Sequence, residues 1–388
     1  MTTILKPLID ILRALALLLA AAVGVLGFAA LGGVFSDRLD VLAHFAPIWL
    51  GGGIVAALLW AVSGRKGRTT PALALVAALS APILMVPELT AAATQKRVEP
   101  DGDTLTLVQF NLWGRNRDPG ATFRWILATD PDIVVIEEGF DRSGGIPRKL
   151  ARRYPYRTTC AAPWPCSTMI LAKRRPVAAG GLATVVSDAQ LSGAWATFRD
   201  RRGPFTVVGV HYTWPFPAGP QQQQTLRLAK VLERFPKDRL IVSGDMNSTP
   251  WSFALRRQDR LFGLERRTRA LPTWPAGQFS RLHITLPAPV LPIDQVYAGK
   301  GWRTVSVRRG PKLGSDHYPV VVTLAPAAGS SGRRTGVVRR PPRPSSRRSC
   351  RADAGARPWA GRRHGPCRRP LRPRPCTGRR GSWRRPGR

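Results

Sequence analysis

Hydrophobic positions divide the chain into two textures, long apolar runs up to about residue 87 and short strand-like runs after residue 104. Residues 8–35 are apolar almost throughout, and their core at 14–35 has the roughly 20 residues a membrane-crossing helix needs. A second run occupies 41–62 and a third 71–87, the third interrupted by Pro82. A cleaved leader would explain one such run but not three. Residues 1–95 therefore read as a membrane anchor of three transmembrane helices, with burial in a soluble domain left open for the third run. Lys6 and Arg13 precede the first run, and Arg65, Lys66 and Arg68 fill the loop before the third. The loop between the first two runs offers only Arg38, beside Asp37 and Asp40. Basic residues favour the cytoplasmic side, so three crossings place everything after residue 95 outside the cytoplasm. Lys96 and Arg97 oppose that orientation weakly, and two crossings would reverse it.

After residue 103 the pattern is that of an α/β domain. Thr104–Phe110 alternates as a strand and delivers Asn111, and Thr122–Ala128 forms a short helix. Asp132–Ile136, β-branched from Ile133 onward, has the pattern of a strand covered on both faces and ends in Glu137-Glu138. Thr168–Ala172 and Ala194–Arg199 read as strands, and Phe205–Val210 ends in His211-Tyr212. A helix over Gln221–Phe235 leads into Leu240-Ile241-Val242, which stops at Gly244-Asp245-Met246-Asn247 before Pro250. Trp302–Val307 and Val320–Leu324 are the last strands, with Gly314-Ser315-Asp316-His317 between them. Residues two apart on an extended segment point the same way, so Asp245 and Asn247 face one point beyond a sheet. Asp and Asn also simply begin turns after strands, and this segment alone leaves both readings open.

Charge adds a third region. The chain is 388 residues long with a net charge of +37, which points to nucleic acid or an anionic surface. Residues 326–388, however, hold 20 Arg against the single acid Asp353, so about half the charge belongs to a tail with hardly an aliphatic residue. That composition cannot build a core and reads as disordered, suited equally to nucleic acid or anionic lipid. Five Cys are too few for a disulfide framework, and only Cys160 and Cys166 share a folded region. In an oxidising compartment the short loop between those two can close into a disulfide.

Polar, chemically able residues end six β-rich runs: Asn111, Glu138, His211, Asp245 with Asn247, Asp294 in Pro292-Ile293-Asp294-Gln295-Val296, and Asp316 with His317. In this order, with Gly-Asp-Met-Asn and Gly-Ser-Asp-His both present, residues 104–325 resemble the endonuclease/exonuclease/phosphatase family, the deoxyribonuclease I-like metal-dependent phosphoesterases. The resemblance implies a two-sheet α/β sandwich with outer helices and a site at one edge of the sheets. It implies Glu138 as the metal-binding glutamate, with Glu137 at the position of a glutamine in relatives, and Asn111 and Asp316 as the other residues around the ion. Asp245 and Asn247 match the pair that positions water and phosphate. His317 matches the catalytic histidine, Asp294 the carboxylate that orients it, and His211 a second histidine beside the phosphate or leaving group.

Elementary chemistry is compatible with these roles. Phosphodiester hydrolysis needs an activated water, compensation of charge on the phosphoryl oxygens and a route for the charge of the leaving oxygen. Carboxylate and amide ligands suit a hard octahedral ion, Mg²⁺ first and Mn²⁺ second, better than zinc. A histidine held by an aspartate keeps one tautomer and supports imidazolium near phosphate. Structural roles stay open for His211, as a strand-end group bonded to a loop, and for Asp294, as a turn cap. No long basic helix or aromatic-interleaved loop within 104–325 would grip a DNA duplex, although Arg142, Arg148, Arg152 and Arg153 cluster after Glu138. The segment Arg256–Arg269, with six Arg, reads as a decoration of the rim. Tyr212-Thr213-Trp214-Pro215-Phe216-Pro217 is either a substrate wall, a membrane-facing lip or a loop packed on its own rings. The expectation is a membrane-anchored phosphodiesterase, nuclease-like or acting on phospholipid, sphingomyelin or a phosphomonoester, with no obligate protein partner. A non-catalytic membrane binding module is the alternative.

Overall fold

Strand-forming and helix-forming stretches alternate along the chain, and the computed structural model describes residues 2–100, 102–139, 144–160, 166–182, 190–279 and 284–327. The expected tail therefore lies outside the described residues from 328 onward, as does Arg142. Helices come first: α1 (Thr2–Leu31), α2 (Asp37–Ala43), α3 (Ala46–Val62) and α4 (Thr69–Ala93). Strands and helices then alternate as β1 (Leu105–Asn111), α5 (Pro119–Thr129), β2 (Ile133–Glu137), α6 (Ile146–Lys149), β3 (Tyr156–Thr159) and β4 (Met169–Ala172). They continue through β5 (Ala178–Gly181), β6 (Ser192–Asp200), β7 (Gly203–His211), α7 (Pro220–Leu232), β8 (Leu240–Asp245) and α8 (Phe253–Phe262). The last are β9 (Glu265–Arg266), β10 (Gln278–Phe279), β11 (Ile284–Thr285), β12 (Asp294–Ala298), β13 (Trp302–Arg309) and β14 (Val320–Pro326).

Two mixed six-stranded sheets result, ordered β13-β14-β1-β2-β4-β3 and β5-β6-β7-β8-β12-β9. In each, one parallel pair sits centrally, β1 with β2 and β7 with β8, and the connection between its strands contains a helix, α5 or α7. Alternation along the strands sorts residues between three apolar layers. Leu107, Ile133, Val135, Val207, Ile241 and Val296 fill the space between the sheets. Val108, Val134 and Ile136 turn outward onto α5 and α6, whereas Val208, Val210, Leu240 and Val242 turn onto α7 and α8. Helix ends are capped locally: Asp118 accepts from the Ala121 amide at the start of α5, and Ser252 does the same for Leu255 in α8. The sandwich expected for residues 104–325 is thus present, but β3, β5, α6 and α8 were not legible beforehand. β3 and β5 are four-residue edge strands without apolar alternation. Cys160 and Cys166 are joined in a disulfide, with Cα atoms 5.8 Å apart.

The apolar runs fold as a helical bundle in which two helices, α1 and α4, are long and apolar enough to cross a membrane. The second run is not one straight helix as expected. It breaks between α2 and α3 with a bend of 58°, so a third span exists only if that pair is counted as one. The break has a polar cause. Asp40 and His44 turn away from the bundle, and Pro47 restarts the helix at the head of α3. Both oxygens of Asp40 accept from backbone amides at the start of α8, from Phe253 at 2.8 Å and Ala254 at 2.7 Å.

The Arg-rich segment Arg256–Arg269 corrects another expectation, because it is mostly an interface and not a rim. Arg266 is fully buried and makes a two-pronged pair with Glu88 of α4 at 2.7 and 2.6 Å, and Arg269 reaches the same carboxylate at 3.1 Å. Arg256 donates to the Leu84 carbonyl, Arg257 pairs with Asp37, and buried Arg267 caps the carbonyls of Ala298, Gly299 and Trp302. Apolar contact completes the joint, with Trp251 and Leu291 against Ala30, Ala43, Ala81 and Leu84. Removing one member of a buried pair leaves the other uncompensated, at a typical cost of roughly 3–5 kcal/mol. Glu88→Ala should therefore lower the stability of the full-length chain by about 3 kcal/mol, since Asp259 still reaches Arg266. Denaturant titration in detergent checks it, with the exposed Asp103→Ala, whose contact with Arg201 is a loose 3.5 Å, as a near-silent control.

Candidate active site

Strand parity builds the site. Gln109 and Asn111 follow Leu107 at two-residue steps, Glu137 follows Val135, His211 follows Val207, Asp245 follows Ile241 and Asp294 precedes Val296. All six thus lie on the inter-sheet faces, where the apolar core gives way to polar groups at one edge of the sandwich. Register brings them level, with Asp294 opposite Asp245, His211 beside Asp245 and Asn111 beside Glu137. Gly244 permits the closeness of β7 and β8, since a Cβ there would lie 1.8 Å from the Val210 carbonyl oxygen.

At the centre, His317 Nδ1 is 2.9 Å from Asp294 Oδ2, and its Nε2 is 3.6 Å from Asp245 Oδ2. His211 Nε2 approaches the same Asp245 oxygen at 3.7 Å, while its Nδ1 meets the Ser167 hydroxyl at 3.3 Å. Asp245 Oδ2 also receives the Asn111 amide at 3.0 Å, and its Oδ1 accepts from the Asn247 backbone at 2.8 Å. Asn247 adopts φ +46° and anchors its own amide on the Tyr212 carbonyl at 2.9 Å. Burial pushes Asp245 up to about 6, with Asp294 reinforcing the rise and the two histidines opposing it. Burial works against charge on His317, but Asp294 and Asp245 outweigh it and hold the imidazole well above its ordinary range.

Glu138 leaves β2 with φ +50°, a left-handed turn that swings its carboxylate out of the strand's alternation. Its Oε1 is 3.3 Å from the Asn111 amide and its Oε2 accepts from the Gly114 backbone at 3.1 Å. Asp316 is close enough for the Glu138 charge to raise it, after burial as the larger cause, and it accepts from the Trp274 indole. Its Oδ1 is buried without a hydrogen-bond partner. An orphaned carboxylate oxygen near a second carboxylate and an amide is a donor set that fits a hard divalent cation. Among the described residues, Asp245, Asp294 and His317 also bring potential ligand atoms within 4.8 Å of one another. What sets the group around Glu138 apart is the orphaned Asp316 Oδ1 beside it, an oxygen still in need of a partner.

Every residue singled out in the sequence therefore lies at this edge: Asn111, Glu138, His211, Asp245, Asn247, Asp294, Asp316 and His317. Four others escaped notice. Gln109 donates to Asp294 at 2.7 Å and to Glu137 at 2.9 Å, tying the sheets together behind His317. A glutamine on the buried face of an apolar strand was the available signal. Ser167 on His211 and Ser315, which bonds the Asn111 carbonyl at 2.7 Å, carry no such signal. Nor does Gln221, which reaches the Met246 carbonyl from α7 at 3.1 Å. Arg148, Arg152 and Arg153 are exposed, and Arg153 pairs with Asp130, so that cluster is a solvated face.

A profile of the endonuclease/exonuclease/phosphatase family matches residues 108–317. Among solved structures, a magnesium-bound variant of beta toxin from Staphylococcus aureus is 14% identical, covering 57% of this chain and 99% of its own, with a TM-score of 0.45. Sphingomyelinase C from Streptomyces griseocarneus is 18% identical over 58% of this chain and 100% of its own, TM-score 0.43. An endonuclease/exonuclease/phosphatase from Beutenbergia cavernae is 19% identical over 58% and 72%, TM-score 0.44. These three likenesses are too distant to bear on the activity of this chain. No curated protein matches it significantly.

Glu137 is fully buried, and burial, then Asp294 and Asp245, drive its carboxyl well above the ordinary range. Its Oε1 has no partner. A carboxyl with a raised folded pKa costs stability as pH climbs from the unfolded value of about 4.3 towards the folded one. Glu137→Gln keeps the shape and removes that cost. It should raise the melting temperature by a margin that widens as pH rises from 4 to 8, a trend calorimetry checks directly.

Proposed function

The chain belongs to the endonuclease/exonuclease/phosphatase family, and from that premise we propose that it is a membrane-anchored, divalent-metal-dependent phosphoesterase that hydrolyses phosphodiester bonds. The observation that carries the reading is the convergence of two histidines and two aspartates on one point, with the Asp294–His317 hydrogen bond at 2.9 Å and both imidazole Nε2 atoms within 3.7 Å of Asp245 Oδ2. In this reading residues 1–95 are the anchor, 104–325 the catalytic domain and 326–388 an accessory tail. Glu138, Asp316 and Asn111 would hold the ion, Mg²⁺ before Mn²⁺. Such an ion, when bound, neutralises phosphoryl charge and lowers the pKa of water.

Each side chain then has a task. Asp245, whose carboxyl burial lifts towards neutrality, accepts a proton from the attacking water, and Asn247 orients that water and the phosphate. His317 stays cationic beside Asp294 and lies against the phosphoryl oxygens. His211, partly exposed, stands on the leaving-group side. Support for the outward orientation comes from the disulfide, which an oxidising compartment maintains. The basic loop before α4 supports it too.

The ligand set is tested by Glu138→Gln, which should abolish turnover of bis(4-nitrophenyl) phosphate while Glu137→Gln retains most of it; EDTA should silence the parent and Mg²⁺ restore it. Equal losses in the two variants would show that this register is wrong. For the dyad, His317→Ala should lower kcat about 10²–10⁴-fold and Asp294→Asn less, with the double variant little worse than His317→Ala. Independent multiplication of the two losses would separate the residues.

A further inference from the structure

The edge of the sandwich that carries the site is also the edge that sits on the helical bundle. Two site loops make the contact. Just beyond Asn247, Thr249 bonds to His44 Nδ1 through its hydroxyl at 3.0 Å and its amide at 3.1 Å, and the Trp251 indole donates to the His44 carbonyl at 3.3 Å. On the other side, Trp274, whose indole holds Asp316, is paired backbone to backbone with Leu291, and Leu291 packs on the Ala81–Leu84 turn of α4. The loop after His211 reaches both sides. Its Trp214 ring stacks edge-on against Trp274, with centroids 6.0 Å apart. Pro215, Ala218 and Gly219 of the same loop share a cavity with Asp37, Val41 and His44. Phe216 at its tip is 74% exposed and Trp214 50%, while Phe35 in the turn between α1 and α2 is 93% exposed.

We propose that this mouth opens onto the bilayer surface, and that the enzyme takes phosphoesters carried by a membrane-embedded amphiphile. The inference rests on the reading of the chain as a membrane-anchored phosphoesterase. Large exposed apolar rings are unfavourable against water but suited to the headgroup region, where aromatic side chains collect at both faces of a membrane. Nearness to the apolar helices selects the occupant: the ends of α1 and α2 and the Ala81–Leu84 turn of α4 meet at the joint that the site loops close, and Pro215, between the two exposed rings, shares a cavity with Val41 and His44 of the helical region. A stiff duplex would have to approach from the side that the bundle covers, whereas a lipid phosphate already lies at that level.

The full-length chain in phosphatidylcholine nanodiscs tests the idea with two diesters that differ only in carrier, hexadecyl 4-nitrophenyl phosphate and methyl 4-nitrophenyl phosphate. In both, the oxygen of water bonds to phosphorus and 4-nitrophenolate leaves. The bilayer-borne diester should show a kcat/KM at least roughly tenfold higher, and Phe216→Ser should erase much of that advantage while leaving the methyl diester within about twofold. A second readout is independent of turnover: the emission added by Phe216→Trp should be quenched when the disc contains bromine-labelled acyl chains. Equal kcat/KM for the two carriers, an unquenched Phe216→Trp, or faster cleavage of a single-stranded oligonucleotide would overturn the proposal. No hydrolysis of any diester with quenching intact would instead overturn the phosphoesterase reading and leave the bilayer-facing surface standing.

Discussion

Acids placed between two sheets have to be paired, protonated or released to solvent, and that constraint organises this protein. Glu137, Asp245 and Asp294 all sit on inward faces with essentially no solvent contact. The structure answers with a single imidazole between two of them, a glutamine bridging the third to Asp294, and carboxyls at Glu137 and Asp245 that burial raises despite their partners. Removing charge from water is expensive, and the mutual attraction of opposite charges returns part of that cost only where geometry is good. The polar end of the core is thus a chemically tense place by construction. In the function proposed above that tension has a use, because a carboxyl raised by burial and an imidazole held above its ordinary range are suited to a phosphate ester.

Much of this edge was legible in the sequence because β-strands advertise their ends. Val135-Ile136-Glu137-Glu138 and Val242-Ser243-Gly244-Asp245 each announce a buried strand and the group that leaves it. Their common face follows from a period of two. What could not be read was pairing between elements distant in sequence. Gln109 meets Asp294 across 185 positions, and nothing near either residue forecasts the other. The left-handed turn at Glu138, which separates it from Glu137 in direction and in burial, is likewise a product of the packed edge, since glutamate has no intrinsic preference for it.

The arginines teach the same lesson in reverse. A run with six Arg looks solvated, and composition alone cannot reveal that Arg266 inserts between Glu88 and Asp259. Glu88 stands just after the third apolar run and Asp40 just before the second. Both are handles by which the sandwich is held, Asp40 on the start of α8 and Glu88 on Arg266. Charged residues at the border of an apolar run are therefore informative about tertiary docking as well as about topology.

The bend between α2 and α3 has a mechanical consequence. By drawing Asp40 and His44 out of the bundle, it fastens α8 and the loop after Asn247 to the helices, while Glu88 fastens the far side. The edge that carries the candidate site is consequently mounted rather than leashed. A leashed enzyme sweeps a hemisphere and meets molecules at any height, but a mounted one keeps its mouth at one altitude and one tilt. With the helices in a bilayer, its encounters become a planar search, governed by lateral diffusion and surface density, and reach into the surrounding medium is given up.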